Sequence, residues 1–303
     1  MKNSSLSLLP LYQAPSSWWE HVPVAHWLIK ELKPKVIVEL GTHYGVSFFS
    51  FCEAASKFSP DTFVYAVDTW QGDEHAGNYD ETVFDKVQTH QQAHHKQRSR
   101  IVRSTFDEAS DHFEDQSIDI LHIDGLHTYK AVCNDFNTWM PKLRDGGSIL
   151  FHDWNVREGD FGVWKLWLEI RDDNRFNCFE IPNGHGLGIA TMTETEPEWY
   201  KELAQLLPIL TCKGALLDQV SELNQQKDTL TARLVEIDKH ASNLELHSHN
   251  LELHSHNLEV QCGEQKSHIE GLIAHVNNLE ASLTQIQRGL GARLLSRLST
   301  LGR

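Results

Sequence analysis

Residues 36–47 read VIVELGTHYGVS, and this stretch decides the fold that we predict for the chain. Its first three residues form a β-branched run, which is typical of a buried strand. Gly41 and Gly45 follow, and the apolar sequence that starts at Ser47 predicts a helix. A strand, a glycine turn and a helix together form the unit that binds a nucleotide in open parallel sheets. The spacing G-x-x-x-G also fits an ordinary strand-to-helix turn, so the rest of the chain has to decide.

The composition predicts one sizeable domain plus a part of the chain that is not core. The chain has 303 residues, of which 40% are hydrophobic, and its mean hydropathy is -0.42. These values are low for a single compact fold. The formal net charge of -15 argues against a general nucleic-acid-binding protein, because such proteins neutralise phosphates with basic side chains.

Cysteine usage and the N-terminal sequence predict a cytoplasmic protein. The five cysteines are scattered and form no C-x-x-C pair, which fits a reducing compartment. Residues 1–19 hold a short apolar patch that two prolines interrupt, so we do not predict a signal peptide. The sequence also lacks the run of about 18 apolar residues that a membrane-crossing helix needs.

Strand and helix patterns alternate after the opening unit, which predicts an α/β fold with a doubly wound, mostly parallel, Rossmann-like sheet. Pro34 separates the first strand from a preceding helix that Ser16 or Ser17 could cap. The further predicted strands are 63–67, 101–102, 118–123 and 148–151, with a closing pair at 176–181 and 187–191. The predicted helices are 82–96, 107–113, 129–140 and 161–170, and residues 71–79 are predicted as a loop.

Three histidines lie near the end of the predicted helix 82–96. His90, His94 and His95 could suggest a metal site, but the helix around them is polar. A helix of this composition is typical of a solvated surface. We therefore predict that these three side chains lie on a solvent-exposed face.

Acidic side chains follow three of the predicted strands. Asp68 ends the second strand, Asp124 follows the fourth, and Asp153 follows the fifth. Because ligands bind outside the carboxyl ends of the strands in open α/β sheets, we expect these acids to meet over one crevice with the Gly41 turn. The carboxylate of Asp68 can accept from both hydroxyls of a ribose, and Glu39 could accept from an ammonium group. The pattern favours a nucleoside that also carries a positive amine.

Asp124 and Asp153, with His152 beside the second acid, could share one divalent cation. Oxygen ligands suit Mg²⁺ or Mn²⁺, and one imidazole favours Mn²⁺ or another transition ion. His127 lies three residues from Asp124 and is a candidate general base, because the reference pKa of histidine is near the working pH. The alternative for His127 is a capping or packing role at a helix N-terminus.

Four segments resemble the class I S-adenosylmethionine-dependent methyltransferases: VELGTHYGVS, YAVDTW, IDILHIDGLHTY and GGSILFHDW. Over roughly residues 17–195 the chain is similar to the bacterial metal-assisted sugar and small-molecule O-methyltransferases, which are related to the catechol and macrolide-sugar enzymes. The resemblance implies that S-adenosyl-L-methionine is bound by Glu39, Gly41, Thr42, Gly45, Ser47, Asp68, Thr69 and Trp70. It also implies Asp124 and Asp153 as metal ligands. The pair His152-Asp153 departs from the Asp-Asn and Glu-Asp pairs of those enzymes, which leaves the role of His152 open.

The resemblance further implies an O-methyltransferase that acts on a hydroxyl group of a sugar or glycan in polysaccharide biosynthesis. A divalent cation would lower the pKa of that hydroxyl, and His127 or the ligand carboxylate of Asp124 would take its proton. The side chains predicted to wall the acceptor pocket are Trp70, His75, Tyr79 and Trp154. Two alternatives stay open, which are an inactive coiled-coil scaffold for glycan-assembly enzymes and a metal-dependent hydroxylase on the same fold.

Heptad repeats begin at Val220 and predict a coiled coil through which the chain forms a homo-oligomer. Leucine or isoleucine recurs every seven residues from Leu223 to Leu258, and both seam positions are apolar from Ile269 to Leu290. A solitary helix would leave this apolar stripe exposed. The middle of the segment repeats NLELHSH, and we predict that its histidines are solvated rather than metal-binding or pH-sensing: His247, His249, His254 and His256.

The predicted organisation divides the chain into five parts. These are an N-terminal helical segment 1–33, a methyltransferase domain 34–195, a helical linker 196–218, a coiled coil 219–290 and a basic tail 291–303. The segment past Glu280 holds four arginines and no acid. This end could touch an anionic membrane at the inner face, or it could be the frayed end of the coil.

Overall fold

The structure is a computed structural model that describes residues 4–300; for residue 290 and residues 292–300 it describes the backbone alone. Contacts divide the chain into two units, Met1–Lys227 and Asp228–Arg303. The first unit carries the sheet and the second is helical, and each is described by itself.

Nine strands form the first unit's two sheets. In chain order they are β1 Val36–Leu40, β2 Phe63–Asp68, β3 Gly72–Asp73, β4 Gly77–Asn78, β5 Ser99–Arg103, β6 Ile118–Ile123, β7 Leu143–His152, β8 Phe176–Ile181 and β9 Leu187–Met192. β3 and β4 form a separate small hairpin, and the main sheet has the order β5-β2-β1-β6-β7-β9-β8. The pairs from β5 to β7 are parallel, whereas β9 is antiparallel to both of its neighbours. The predicted doubly wound, mostly parallel sheet is confirmed.

The order of the strands reverses between β1 and β6. From β1 the chain adds β2 and β5 on one side, and it then returns to place β6 and β7 on the other side. Such a reversal opens a crevice at the carboxyl ends of the two central strands, which is where ligands bind in open α/β sheets. The glycine turn after β1 and the acid after β6 both lie at this crevice.

Helices cover both faces of the main sheet. They are α1 Val22–Leu32, α2 Val46–Phe58, α3 Glu81–His90, α4 Phe106–Ser110, α5 Tyr129–Trp139, α6 Val163–Arg171 and α7 Glu198–Thr300. One core packs α1, α2 and the start of α7 against the sheet and contains Trp18, Phe48 and Leu203. The other core contains Trp139 of α5 and Trp167 of α6. Each face of the sheet is therefore buried.

The ends of several elements differ from the predicted ones. The first helix begins at Val22 rather than near Ser17, because Trp19–His21 form a 3₁₀ turn before it. The predicted helix 82–96 ends at His90 and continues as a π-helical segment, Gln91–His95. The predicted loop 71–79 contains the hairpin of β3 and β4. Each difference falls where a short or irregular element has no periodic apolar pattern of its own.

The predicted N-terminal segment and the predicted linker both pack within the first unit. Leu203 and Leu210 of α7 are fully buried. The hydroxyl of Tyr200 donates to the carbonyl oxygen of Asn177 at 2.7 Å. Lys213 Nζ donates to the carbonyl oxygen of Leu8 at 2.6 Å. Residues 196–218 are thus part of the globular fold, and the unit boundary lies at residues 227–228.

The second unit consists of helical residues with an exposed apolar stripe. Leu244, Leu251, Leu272 and Leu279 are between 52% and 69% exposed. Between residues 4 and 300, the structure describes no helix long and apolar enough to span a bilayer. The side chains of Arg293, Arg297 and Arg303, on which the prediction of a basic tail rests, lie outside the described residues.

Candidate active site

A cavity of about 1060 Å³ opens at the carboxyl ends of the central strands. Its walls come from the turn after β1, the end of β2, the loop after β6 and the loop after β7. Nine of the predicted site residues line it, which are Gly41, Thr42, Gly45, Ser47, Asp68, Thr69, Asp124, His127 and Asp153. The strand ends therefore bring most of the predicted residues to one place.

The turn after β1 is held by the carboxylate of Asp68. Its Oδ2 accepts from the backbone N–H groups of Thr42 at 2.8 Å and His43 at 3.0 Å, and its Oδ1 accepts from that of Trp70 at 2.7 Å. Gly41 has a φ of 87°, and its N–H donates to the carbonyl oxygen of Val67. Asp68 thus fixes the shape of the glycine turn, and its predicted ribose contact stays a prediction.

Glu39 and Trp70, which were predicted to bind the cofactor, do not line the cavity. Glu39 is fully buried, and its Oε2 lies 2.9 Å from His122 Nδ1. Because neighbouring side chains on a strand point to opposite faces, Glu39 points into the face of the sheet on which Trp18 and His122 are buried. The indole of Trp70 is buried against Phe84, and its Nε1 donates to the carbonyl oxygen of His43. Both side chains are therefore buried next to the cavity and do not form its surface.

Two carboxylates and two imidazoles meet at the other end of the cavity. His127 Nε2 lies 2.9 Å from Asp153 Oδ2 and 3.5 Å from Asp124 Oδ1. His152 Nδ1 lies 3.1 Å from Asp124 Oδ1 and 3.2 Å from Asp153 Oδ1. His185 Nδ1 adds a contact of 3.5 Å to Asp153. Asp124 and Asp153 therefore face each other across one small volume, as predicted.

The electrostatics of this cluster favour charged carboxylates and protonated imidazoles. Burial alone would raise the pKa of Asp124 and Asp153, but the charge of His152 and the hydrogen bonds from His127 hold both values below their usual range. Burial alone would lower the pKa of His127, but its hydrogen bonds to the two carboxylates raise it to about 9. At neutral pH His127 therefore already carries a proton, which conflicts with its predicted role as a general base in this arrangement.

The residues of the cluster fit a divalent cation. One ligand atom from each of Asp124, His152 and Asp153 lies within 4.8 Å of the others. Within the described part of the chain, His152 Nε2 is buried and has no hydrogen-bond partner. Two carboxylates with one imidazole form a donor set that suits Mn²⁺ or another transition ion better than Mg²⁺.

Backbone strain is concentrated at the same site. His43, Trp70 and Asp153 have φ values of 49°, 52° and 61°, which residues other than glycine rarely adopt. Such strain persists only where the surrounding structure enforces it, and it clusters at functional sites. The three residues follow β1, β2 and β7, which are three of the four strands whose ends frame the crevice.

Stacked rings line part of the cavity wall. The ring of Phe161 stacks on those of His75 at 4.5 Å and His127 at 4.9 Å between centroids. Tyr79 stacks on His43 at 4.4 Å. The predicted wall residues His75 and Tyr79 line the cavity, whereas Trp154 packs on Trp167 behind it.

Several lining residues were missed from the sequence. They are His43, Tyr44, Thr105, Phe106, Arg157, Phe161 and His185, among others. Thr105 and Phe106 follow β5, so the rule that ligands bind at strand ends could have included them. His185 comes from the turn between β8 and β9 and reaches the site because β9 pairs with β7. No local sequence signal predicts that pairing.

Part of the chain is similar to known proteins. Residues 38–154 match the model of a family described as a methyltransferase domain. The uncharacterized protein y4gI of Sinorhizobium fredii is 45% identical over 203 residues, which are 67% of this chain and 21% of that protein. The chain thus spans about a fifth of the length of the curated relative that it matches.

Two solved structures illustrate the likeness of fold. SAH-bound methyltransferase PaMTH1 of Podospora anserina is 13% identical, with coverage of 60% of this chain and 90% of that one and a TM-score of 0.45. The O-methyltransferase TomG of Streptomyces achromogenes, solved with SAM and involved in tomaymycin synthesis, is 12% identical, with coverage of 63% and 88% and a TM-score of 0.46. The similarity to the methyltransferase family covers residues 38–154, which include the glycine turn, Asp124 and Asp153.

Proposed function

We propose that the chain is an S-adenosylmethionine-dependent O-methyltransferase that uses a divalent cation. The observation that carries the proposal is the meeting of Asp124 and Asp153 in the same cavity as the glycine turn of Gly41. The methyltransferase match of residues 38–154 covers both parts of that cavity.

The turn side of the cavity suits the methyl donor. The turn from Gly41 to Gly45 leads into α2, so backbone N–H groups at the start of that helix face the cavity. Ser47 and Thr69 add hydroxyl groups to the same wall. A nucleoside with an amino-acid tail can be bound there by backbone and side-chain polar groups, and its sulfonium would then point toward Asp124.

The acid side of the cavity suits the acceptor. Asp124, His152 and Asp153 would hold the cation. When bound, the cation would act as a Lewis acid and lower the pKa of an acceptor hydroxyl. His127 would then lie beside neutralised carboxylates, so its pKa would fall and it could accept the hydroxyl proton. Phe161 and His75 would pack on the acceptor and orient it.

The reaction transfers one methyl group. The acceptor oxygen forms a bond to the methyl carbon while the bond from that carbon to sulfur breaks, which leaves S-adenosylhomocysteine. The hydroxyl proton goes to His127 Nε2 or to a carboxylate of the cluster. The chain contributes position and charge rather than a covalent intermediate.

A hydroxyl group of a sugar or glycan is the acceptor that we propose, on the basis of the sequence resemblance. The acceptor side offers polar groups for a polyhydroxylated ring, with Asp73, Asn155, Arg157 and Glu158 in the wall. Aromatic rings beside them can pack on the apolar face of such a ring. From the same resemblance we propose action in polysaccharide biosynthesis, and from the scattered cysteines a cytoplasmic location.

The second unit would bring copies of the chain together. Its heptad seam is apolar and exposed in a single copy, and a second copy of the same helix buries it without any other partner. We propose a homo-oligomer for this reason, and a contact of the basic tail with a membrane surface remains an additional proposal.

The function is tested with the full chain in two steps. Calorimetry measures binding of S-adenosylmethionine, and mass spectrometry then measures methyl transfer to a panel of sugar acceptors with and without Mn²⁺. Surface glycans from cells with and without the gene should differ by the mass of one methylene group per modified residue. A chain that does not bind the donor is not a methyltransferase, and one that methylates amines but no hydroxyl group contradicts the choice of acceptor.

A further inference from the structure

A second group of potential metal ligands lies outside the cavity, on the far side of α2. It consists of Glu53 of α2, His90 at the end of α3 and His95 in the π-helical segment. One ligand atom of each lies within 4.8 Å of the others. None of the three lines the cavity described above.

The π-helical segment is what brings the two histidines together. Residues five apart on an α-helix point about 140° away from each other, because each residue turns by about 100°. The wider π turn places residues i and i+5 on the same side. His90 and His95 therefore both face α2, and π-helical segments frequently mark functional sites. The prediction of a solvent-exposed face is wrong for His90 and His95 for this reason, whereas His94 is exposed as predicted.

Three buried polar atoms in this group have no partner. Glu53 Oε2, His90 Nε2 and His95 Nε2 are all buried and form no hydrogen bond with any described residue. Glu53 is 6% exposed and His95 is 9% exposed. Leaving one such atom buried and unpaired destabilises the fold, so three at one point indicate a shared partner.

The surroundings hold the three ligands in place. Glu53 Oε1 accepts from the N–H groups of Leu11 at 3.0 Å and Tyr12 at 3.2 Å, which leaves Oε2 directed at the histidines. The rings of Phe49 and Tyr12 pack on His90 at 4.5 and 4.6 Å.

We propose that Glu53, His90 and His95 bind one Zn²⁺ ion. Two imidazole nitrogens and one carboxylate oxygen form a common Zn²⁺ donor set, with distances of about 2.0–2.2 Å and room for a fourth ligand. Ligand atoms around such an ion lie about 3.3 Å apart, so the three side chains, whose ligand atoms lie within 4.8 Å of one another, would move closer together on binding. The ion joins the N-terminal segment, α2 and the end of α3, and so braces the helix that begins at the donor-binding turn.

The test uses the full chain after removal of metal by a chelator. Zn²⁺ is titrated by calorimetry into the unsubstituted chain and into Glu53→Gln, His95→Gln and His112→Gln. Glu53→Gln keeps an acceptor for the two N–H groups, and His112 is an exposed histidine that serves as the matched control. Asp153→Asn is added because it removes a ligand of the first cluster only. The unfolding temperature is measured in each case with and without Zn²⁺.

The proposal expects one bound equivalent to be lost in Glu53→Gln and in His95→Gln but kept in His112→Gln. Zn²⁺ should raise the unfolding temperature of Asp153→Asn, and the double variant Asp153→Asn with Glu53→Gln should lose that rise. If Glu53→Gln and His95→Gln bind as many equivalents with the same affinity as the unsubstituted chain, the site does not exist. Failure of S-adenosylmethionine to bind would overturn the methyltransferase proposal and leave this one intact.

Discussion

The backbone carbonyl oxygen of Asp124 lies 2.1 Å from the point where Gly41 would carry a Cβ atom. The glycine turn after β1 is therefore in direct contact with the backbone that carries the carboxylate of Asp124. No side chain fits between the two, so one contact positions both ends of the cavity.

Gly41→Ala should disrupt both sides at once. The substitution adds a residue with a side chain at a φ of 87°, which costs about 1–3 kcal/mol, and it also pushes the Asp124 backbone away. In urea unfolding, we expect the free energy of unfolding to fall by more than this strain alone accounts for. Calorimetry should show that the variant no longer binds S-adenosylmethionine. Gly77→Ala separates the two effects, because Gly77 has a φ of 78° but nothing within 4 Å of its added Cβ. Equal losses in the two variants would contradict the role of the contact.

Asp153→Asn should weaken binding of Mn²⁺ at the active site. The substitution removes one anionic ligand and one partner of His127, whose Nε2 lies 2.9 Å from Asp153 Oδ2. Loss of a direct ligand should reduce the affinity by at least about 10-fold, measured by electron paramagnetic resonance of free Mn²⁺. Glu158→Gln removes the same charge from the wall of the same cavity but not from the cluster, so its affinity should stay close to that of the unsubstituted chain. Equal affinities in both variants would place the cation elsewhere.

The doubly wound, mostly parallel sheet and the meeting of Asp68, Asp124 and Asp153 at one cavity could be predicted from the sequence. Parallel strands are buried on both faces and read as apolar runs, and the residue that ends each run must lie at the carboxyl edge of the sheet. Backbone topology alone thus places these acids. The direction of their side chains does not need to be known in advance.

The direction of individual side chains could not be predicted from the sequence. Trp70 follows the same strand as Asp68, but its positive φ of 52° turns the indole into the core. His90 and His95 show the same limit, because α-helical and π-helical segments have no distinct apolar pattern. His185 reaches the site only through the pairing of β9 with β7, which is a long-range contact.

His122→Phe should destabilise the chain through Glu39. Trp18 Nε1 donates to His122 Nε2 at 3.2 Å, so His122 Nδ1 carries the hydrogen that is donated to Glu39 Oε2. Without His122 the buried carboxyl group has no donor, and we expect a loss of about 3–5 kcal/mol in urea unfolding. The double variant Glu39→Leu with His122→Phe removes both polar groups and should recover part of that loss. Strictly additive losses in this cycle would show that the two residues are not coupled.

Asp135 should make the stability of the fold depend on pH. Burial, and then the charge of Asp107, raise the pKa of Asp135 to about 7 in the folded chain, whereas an unfolded aspartate has a pKa of about 3.9. Between these two values the folded chain binds more protons, so stability falls as the pH rises from about 4 to about 7 and is level above that. The total effect is at most about 4 kcal/mol.

Asp135→Asn should remove this slope and raise the stability at pH 8. Urea unfolding at pH 5 and at pH 8, followed by tryptophan fluorescence, measures the change. Asp145→Asn is the control, because Asp145 is exposed. A slope that is the same in Asp135→Asn as in the unsubstituted chain would assign the pH dependence to other groups.

Leu279→Glu should dissociate the homo-oligomer. Leu279 is 56% exposed in a single copy and occupies a seam position of the heptads, where a charge in every copy would be buried against its equivalents. Sedimentation should give an oligomer for the unsubstituted chain and a smaller species for Leu279→Glu. Asn277→Glu adds the same charge two residues away, outside the seam, and should leave the oligomer unchanged.

Cys262 adds a test of orientation, because a parallel oligomer in register places the Cys262 thiols of its copies together. Mild oxidation should then cross-link the unsubstituted chain but not Cys262→Ser. An oligomer without the cross-link would be antiparallel or out of register, and a monomer at all concentrations would contradict self-association.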